Sequence, residues 1–470
     1  MKFLFLILFL SFQSMLAQTF PVEAIKVSGD NEKRINLVIL SEGYQMHELD
    51  DFITHATNFS NDMFSQSPFL EYADYFNVYA IRIPSIESGA DHPATATDVT
   101  EPASPTKNVD TYFNATFDSF GFHRLLFYEI DGNNANNTQQ KINMVLANNF
   151  PEYDQALILV NSTVYGGSGG QFPMASNATS ASEIAIHELG HSLFDLKDEY
   201  YPGDILAAEA INMTRETDPT LIKWKNWLGT NSIGIYPYGA SGEPAKWYKP
   251  HQTCKMQFLG VPFCAVCKEG IIEKIHDLVS PIDEYSPFPN TITASGSPLD
   301  FKLNLIKPTA NTLQNTWMLN TVTIANDVDD ISLTESQLTI GINTLTAIVT
   351  DVTPLLKVDN HETIHVNAVT WTINYSTTLG IEDISSVKHN FNIKVFPNPT
   401  QDIVNFKIES NAENNLKIDI VSIDGKQLKS LTIFNAINSQ IDLSNFTNGI
   451  YIANFYSGNT LIASKKLIKN

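Results

Sequence analysis

The chain has 470 residues, too many for one hydrophobic core, and about three domains are expected. Apolar residues make up 43% and charged residues 17%, which describes globular material and excludes a disordered chain. A formal charge of −22 argues against a nucleic-acid partner, because so acidic a surface repels phosphate.

Lys2 is followed by the apolar run Phe3 to Leu10 and then by polar and small residues up to Ala17. This order predicts a secretory signal peptide over residues 1–17. The run is too short to span a bilayer, and no later stretch reaches about 18 consecutive apolar residues, so no integral membrane segment is expected.

Residues 33–40 form a β-branched run stopped by Ser41-Glu42-Gly43 and predict a buried strand. From His47 to Ser65, Leu49, Phe52, Ile53, Ala56, Phe59 and Phe64 recur mostly at helical spacing, with Pro68 just beyond. Strands are expected again at 76–83 and 125–128, separated by a long Ser/Thr/Pro/Asp-rich loop over 84–110. A helix over about 138–149 leads into the apolar strand 154–160. The glycines at 166, 167, 169 and 170 lack the Gly-Lys-Ser/Thr ending or dinucleotide fingerprint that a phosphate cradle needs. An extended piece, Gln171 to Ser176, could serve as a sheet edge that aligns a substrate backbone. Alternating strands and helices over the first 285 residues imply an α/β unit around a mostly parallel sheet.

The next segment carries His187-Glu188-Leu189-Gly190-His191. No helix breaker precedes it, so the two histidines at i and i+4 lie one turn apart on one face and can grip one Zn²⁺. Glu188 then stands beside the metal, where a carboxylate can take a proton from metal-bound water. The chemistry implied is metal-assisted hydrolysis.

The three cysteines, Cys254, Cys264 and Cys267, cluster in one short segment. An oxidising destination favours one disulfide with one thiol left over. The other reading is a structural zinc held by His251-x-x-Cys254 and Cys264-x-x-Cys267. Beyond Tyr285 helical periodicity is lost. Segments at 299–305, 338–340, 345–349 and 369–373 alternate apolar and polar residues and predict a β-sandwich over 286–378. A polar linker follows at 379–390, and 391–470 is again all-β, with a hairpin from Lys417–Ile420 through Asp424-Gly425.

The run His187 to Tyr200 resembles the zinc motif of the IgA-peptidase (igalysin) family of the metzincin clan. Leu37–Tyr44, Ser88–Asp91, Tyr165–Gly167 and the stretch Tyr248 to Cys267 resemble it too, over residues 20–285, within an expected peptidase domain at 18–285. The resemblance implies a metzincin-like zinc peptidase domain followed by two β-sandwich domains. It makes His187 and His191 zinc ligands, Glu188 the general base and Met256 the methionine beneath the metal. The clan's glycine and third ligand would fall on Phe194 and Lys197, neither of which fits. Asp198, Glu199 and Asp195 are the remaining carboxylates, and Asp198 is favoured. Asp195, four residues after His191, would lie a further turn along if the helix persists. Independently, Val395–Thr400, Asp424–Lys426, Gly449–Tyr451 and Lys465–Lys469 resemble a type IX secretion sorting domain. That implies export through the periplasm of a two-membrane bacterium, by the type IX machinery, to the cell surface or medium.

The expected activity is a zinc metalloendopeptidase acting on protein or peptide substrates, with Tyr248 as a candidate oxyanion donor. The alternative is an inactive surface adhesin or carbohydrate-binding protein on the same fold. Nothing in these residues specifies the natural substrate.

Overall fold

Strand β2 (Ile35–Glu42) is buried along its whole length, and its side chains divide by alternation between two cores. Ile35, Leu37 and Ile39 enter one, Val38 and Leu40 the other. Each is fully buried and contributes roughly 1.5–3 kcal/mol of burial free energy. The structure, a computed structural model, describes residues 19–99, 105–128, 135–376, 392–409, 415–422, 425–433, 438–458 and 460–470. The expected signal peptide and linker, and Asp424 of the expected turn, lie outside them.

Around β2 stand β1 (Val22–Lys26), β3 (Phe76–Ile81), β4 (Gln155–Val160), β5 (Gly167–Ser168) and β6 (Met174–Ser176), in the sheet order β1-β3-β2-β4-β6-β5. The four central strands are parallel, and β1 and β5 are antiparallel to their neighbours. Helices α1 (Leu49–Phe64), α3 (Ser182–Ser192) and α4 (Ala265–Leu278) cover one face. Helix α2 (Ala135–Asn149) covers the other with Ile142, Val145 and Leu146. This is the mixed α/β arrangement that the alternating elements imply. The piece expected as an open edge differs: Met174–Ser176 is an interior strand, paired on both sides and buried, because Gly167–Ser168 folds back over it.

The chain divides into two compact units, residues 1–377 and 378–470. Within the first, residues 282–375 form a three-stranded and a five-stranded sheet around the stacked Trp317 and Trp371. Leu338–Ile340 is not a strand; its place is taken by Gly341–Asp351. This sandwich is bound to the α/β part by buried contacts. Tyr72 Oη donates to Asp351 at 2.6 Å, and Tyr75 Oη donates to the Ile306 carbonyl at 2.8 Å. These links explain why the first 377 residues form one unit although the sandwich has its own core. The second unit also pairs a three-stranded with a four-stranded sheet around one apolar core.

Candidate metal centre

Helix α3 brings His187 and His191 onto one face, their Nε2 atoms 3.2 Å apart. Asp198 Oδ1 lies 3.2 Å from each, so the three atoms form an equilateral triangle. Four-coordinate zinc at 2.0–2.1 Å from N and O ligands requires edges of about 3.3 Å. Each imidazole is fixed by its other nitrogen: His187 Nδ1–H donates to the Lys255 carbonyl at 2.8 Å, and His191 Nδ1–H to the Leu196 carbonyl at 2.7 Å. A carbonyl can only accept. Both Nδ1 protons are therefore committed, and both Nε2 lone pairs point at Asp198 and at each other.

Such a group of acceptors repels unless a cation sits among them. Burial would raise the pKa of Asp198, but hydrogen bonds from His187 and His191 outweigh it and hold the carboxyl well below the usual range. On His191 burial pulls the pKa down and Asp198 more than offsets it, so the imidazole is pushed up.

The path from α3 to Asp198 explains the unusual spacing. After Leu193 the chain leaves the helix, and Asp195 adopts a left-handed conformation with φ 57°. Asp and Asn enter this region more readily than most residues. The amide of Asp195 donates to the His191 carbonyl at 3.2 Å and that of Leu196 to the Gly190 carbonyl at 2.9 Å. The turn residue is therefore 195 rather than 194, and the carboxylate that returns is 198 rather than Lys197. The Asp195 side chain points away, pairing with Lys274 at 2.9 Å and largely exposed. Glu199 is fully buried and faces Cys264 and Cys267 instead.

Glu188 lines a cleft of about 870 Å³ together with His191, Asp198, Gly169, Gly170 and Tyr200. Burial raises its pKa; the two histidines pull it down and Asp198 pushes it up. A carboxylate so raised is a better proton acceptor. A Cβ on Gly169 would lie 2.3 Å from Glu188 Oε2, so the Glu188 carboxylate occupies room that glycine leaves. Met256 is buried against the helix between the histidines, where a Cβ on Gly190 would lie 2.9 Å from its Sδ. Its turn is anchored by an ion pair between Lys255 and Glu183 of α3.

Two expectations are corrected. Tyr248 does not line the cleft; it pairs with Pro237 in a two-strand ribbon and bonds through its backbone to Thr214. The cleft tyrosine is Tyr200, next to Asp198, where partial burial and the nearby Asp198 charge raise its pKa. His251 does not join the cysteines, its Nδ1 accepting the Thr253 amide at 2.9 Å. Neither Gly169 nor Tyr200 stood out in the sequence reading of the site; Gly169 was legible only as one of several loop glycines.

Residues 23–238 match the family model for IgA Peptidase M64, and residues 394–470 match that for the secretion system C-terminal sorting domain. The peptidase match ends before the Tyr248–Cys267 segment. The sorting domain indicates export to the cell surface or secretion, through the type IX machinery. Among the described residues no helix is long and apolar enough to cross a membrane. No curated protein matches the chain. Solved structures similar to parts of it include dimeric latent PorU from Porphyromonas gingivalis, at 16% identity over 40% of this chain and 20% of that one, with a TM-score of 0.16. Parabacteroides merdae beta-glucuronidase is similar at 6% identity over 49% of this chain and 28% of that one, with a TM-score of 0.16. The D0-D1 domain of intimin is similar at 9% identity over 40% and 99%, with a TM-score of 0.22. The chain thus spans under a third of the first two, and at these scores the likenesses carry no argument.

Proposed function

We propose, from the peptidase-family match and the histidine–aspartate triangle, that this exported chain is a zinc-dependent metalloendopeptidase. His187, His191 and Asp198 hold the ion and Glu188 is the general base. The observation that carries the reading is the pair of Nε2 lone pairs converging with one carboxylate, each imidazole locked by a backbone carbonyl. Two neutral histidines and one carboxylate suit zinc in both ligand type and count. When bound, zinc would acidify water and polarise a peptide carbonyl.

The remaining chemistry belongs to the chain. Glu188 faces the same cleft, desolvated and with its pKa raised, and accepts the proton of the attacking water before passing it to the leaving amine. Gly169 leaves the space in which its carboxylate sits. Tyr200, at the cleft wall beside Asp198, is the candidate donor to the developing oxyanion. The exposed Ile205 and Leu206 follow it, and Leu206 lines the cleft, offering apolar surface to a substrate side chain.

The test is hydrolysis of unfolded casein by the purified chain. Cleavage that a chelator abolishes and zinc restores supports the reading. Stoichiometric zinc without cleavage of any unfolded protein would instead favour an inactive, adhesive role.

A further inference from the structure

We propose that Glu199, Cys254, Cys264 and Cys267 form a second, structural site for a thiophilic divalent cation such as zinc. Their ligand atoms all lie within 4.8 Å of one another, and all four residues are buried. Cys254 and Cys267 Sγ are 3.6 Å apart, and Glu199 Oε1 is 3.6 Å from Cys264 Sγ and 3.1 Å from Cys267 Sγ. A tetrahedral zinc with bonds of about 2.3 Å to sulfur and 2.0–2.2 Å to oxygen requires S–S edges of about 3.8 Å and S–O edges of about 3.5 Å.

The strongest sign is the carboxylate. A buried charge is costly unless paired. Yet Glu199 Oε1 meets only thiols and, at 3.5 Å, the Asn212 amide, while Oε2 has no hydrogen-bond partner. The Lys249 ammonium bonds the Glu199 carbonyl and the Gln257 side chain. A Cys254–Cys267 disulfide would consume two sulfurs and leave Glu199 and Cys264 buried as before; a cation satisfies all four. The backbone also favours thiolates here. The Cys264 amide donates to Cys254 Sγ at 3.2 Å, and Cys264 and Cys267 open helix α4, where the dipole favours negative charge.

The site has a structural consequence. Glu199 follows Asp198 directly, and its amide donates to the Met256 carbonyl at 2.7 Å. A cation here ties the loop carrying Asp198 to the Met256 turn and to α4. The cysteines lie beyond the stretch that matches the peptidase family.

The experiment is metal content of the full chain, purified without reductant or chelator, together with cobalt substitution. About two ions per chain are expected in the wild type. A His187→Ala/His191→Ala double variant should keep one, and its cobalt form should show the near-ultraviolet thiolate-to-cobalt band that an N/O site cannot give. Cys264→Ser should weaken that band, and Glu199→Gln should release the ion to a chelator at least tenfold more readily. If Cys264→Ser does not fold, the double variant still decides. No metal and no thiolate band in the double variant, or a Cys254–Cys267 disulfide in the non-reduced wild-type chain, overturns the proposal. A single ion without the thiolate band would overturn it while leaving the histidine centre intact.

Discussion

Asp198 and Glu199 are adjacent in the chain and face opposite ways. The Asp198 carboxylate stands 3.2 Å from both histidine Nε2 atoms, and that of Glu199 stands 3.1 Å from Cys267 Sγ. One dipeptide in the loop after α3 thus serves two separate clusters.

The two carboxylates therefore separate by mutation. Asp198→Ala should strip the metal at the histidines, because only two protein ligands remain. Glu199→Ala should leave that ion in place with a smaller loss of affinity, about 10–100-fold, the scale seen when groups behind the ligands are removed. Asp195→Gly should keep metal and activity, since glycine suits the left-handed φ of 57° and the lost ion pair with Lys274 is exposed. Casein turnover after dialysis against a weak chelator, which reads only the ion at the histidines, gives the ranking. Greatest loss from Asp195→Gly would contradict the assigned path.

Gly169→Ala should impair turnover without releasing metal. The added Cβ would meet Glu188 Oε2 at 2.3 Å and push the base out of position. A loss of about tenfold or more in kcat is expected, within the range that proton transfer supplies. Steady-state kinetics beside metal analysis check this; unchanged kcat would mean that Glu188 has room elsewhere.

The reach of the sequence can be judged from the same residues. His187, Glu188 and His191 were legible because a helix fixes their relation locally, and β2 was legible because its β-branched run is short, unbroken and stopped by Ser41-Glu42-Gly43. Asp198 was legible only through family resemblance: its approach depends on a left-handed turn at Asp195, which spacing does not encode. Gly169 reaches Glu188, and Glu199 reaches the cysteines, across long sequence separations set by the sheet and by α4. No periodicity carries such contacts. Tyr248 was singled out because its segment resembles the family, but it is not among the residues that line the cleft.

His361 reports on a contact inside the first unit. Its Nδ1 lies 2.5 Å from Glu273 Oε1, and His365 Nε2 lies 3.1 Å from Oε2. Burial would lower the pKa of His361, but Glu273 outweighs it and raises it, with Asp351 and Glu362 adding to the effect. Burial would raise that of Glu273, but the two histidines outweigh it and lower it. The histidine's contribution is full below its usual 6.5 and fades as pH rises through its raised folded value; the glutamate's is full above its usual 4.5 and fades as pH falls through its lowered one. His361→Ala should thus cost most stability between pH 4.5 and 6.5 and progressively less in alkali. Urea midpoints across pH test it; a cost that does not change with pH would reject the ion pair.

Deleting residues 391–470 should strand the protein in the periplasm and leave casein hydrolysis unchanged, because that segment matches the sorting domain and supplies no residue of the histidine centre. Cell fractionation decides. Efficient arrival of the truncated chain at the surface or in the medium would show that export does not depend on it.

The central claim is that Glu188 moves the proton while His187, His191 and Asp198 hold the metal. Glu188→Gln keeps the shape of the side chain but cannot accept a proton. Measured side by side, metal content and casein turnover should part: zinc equal to wild type, and turnover lower by about two orders of magnitude or more. Turnover near wild type, with zinc retained, would contradict the account.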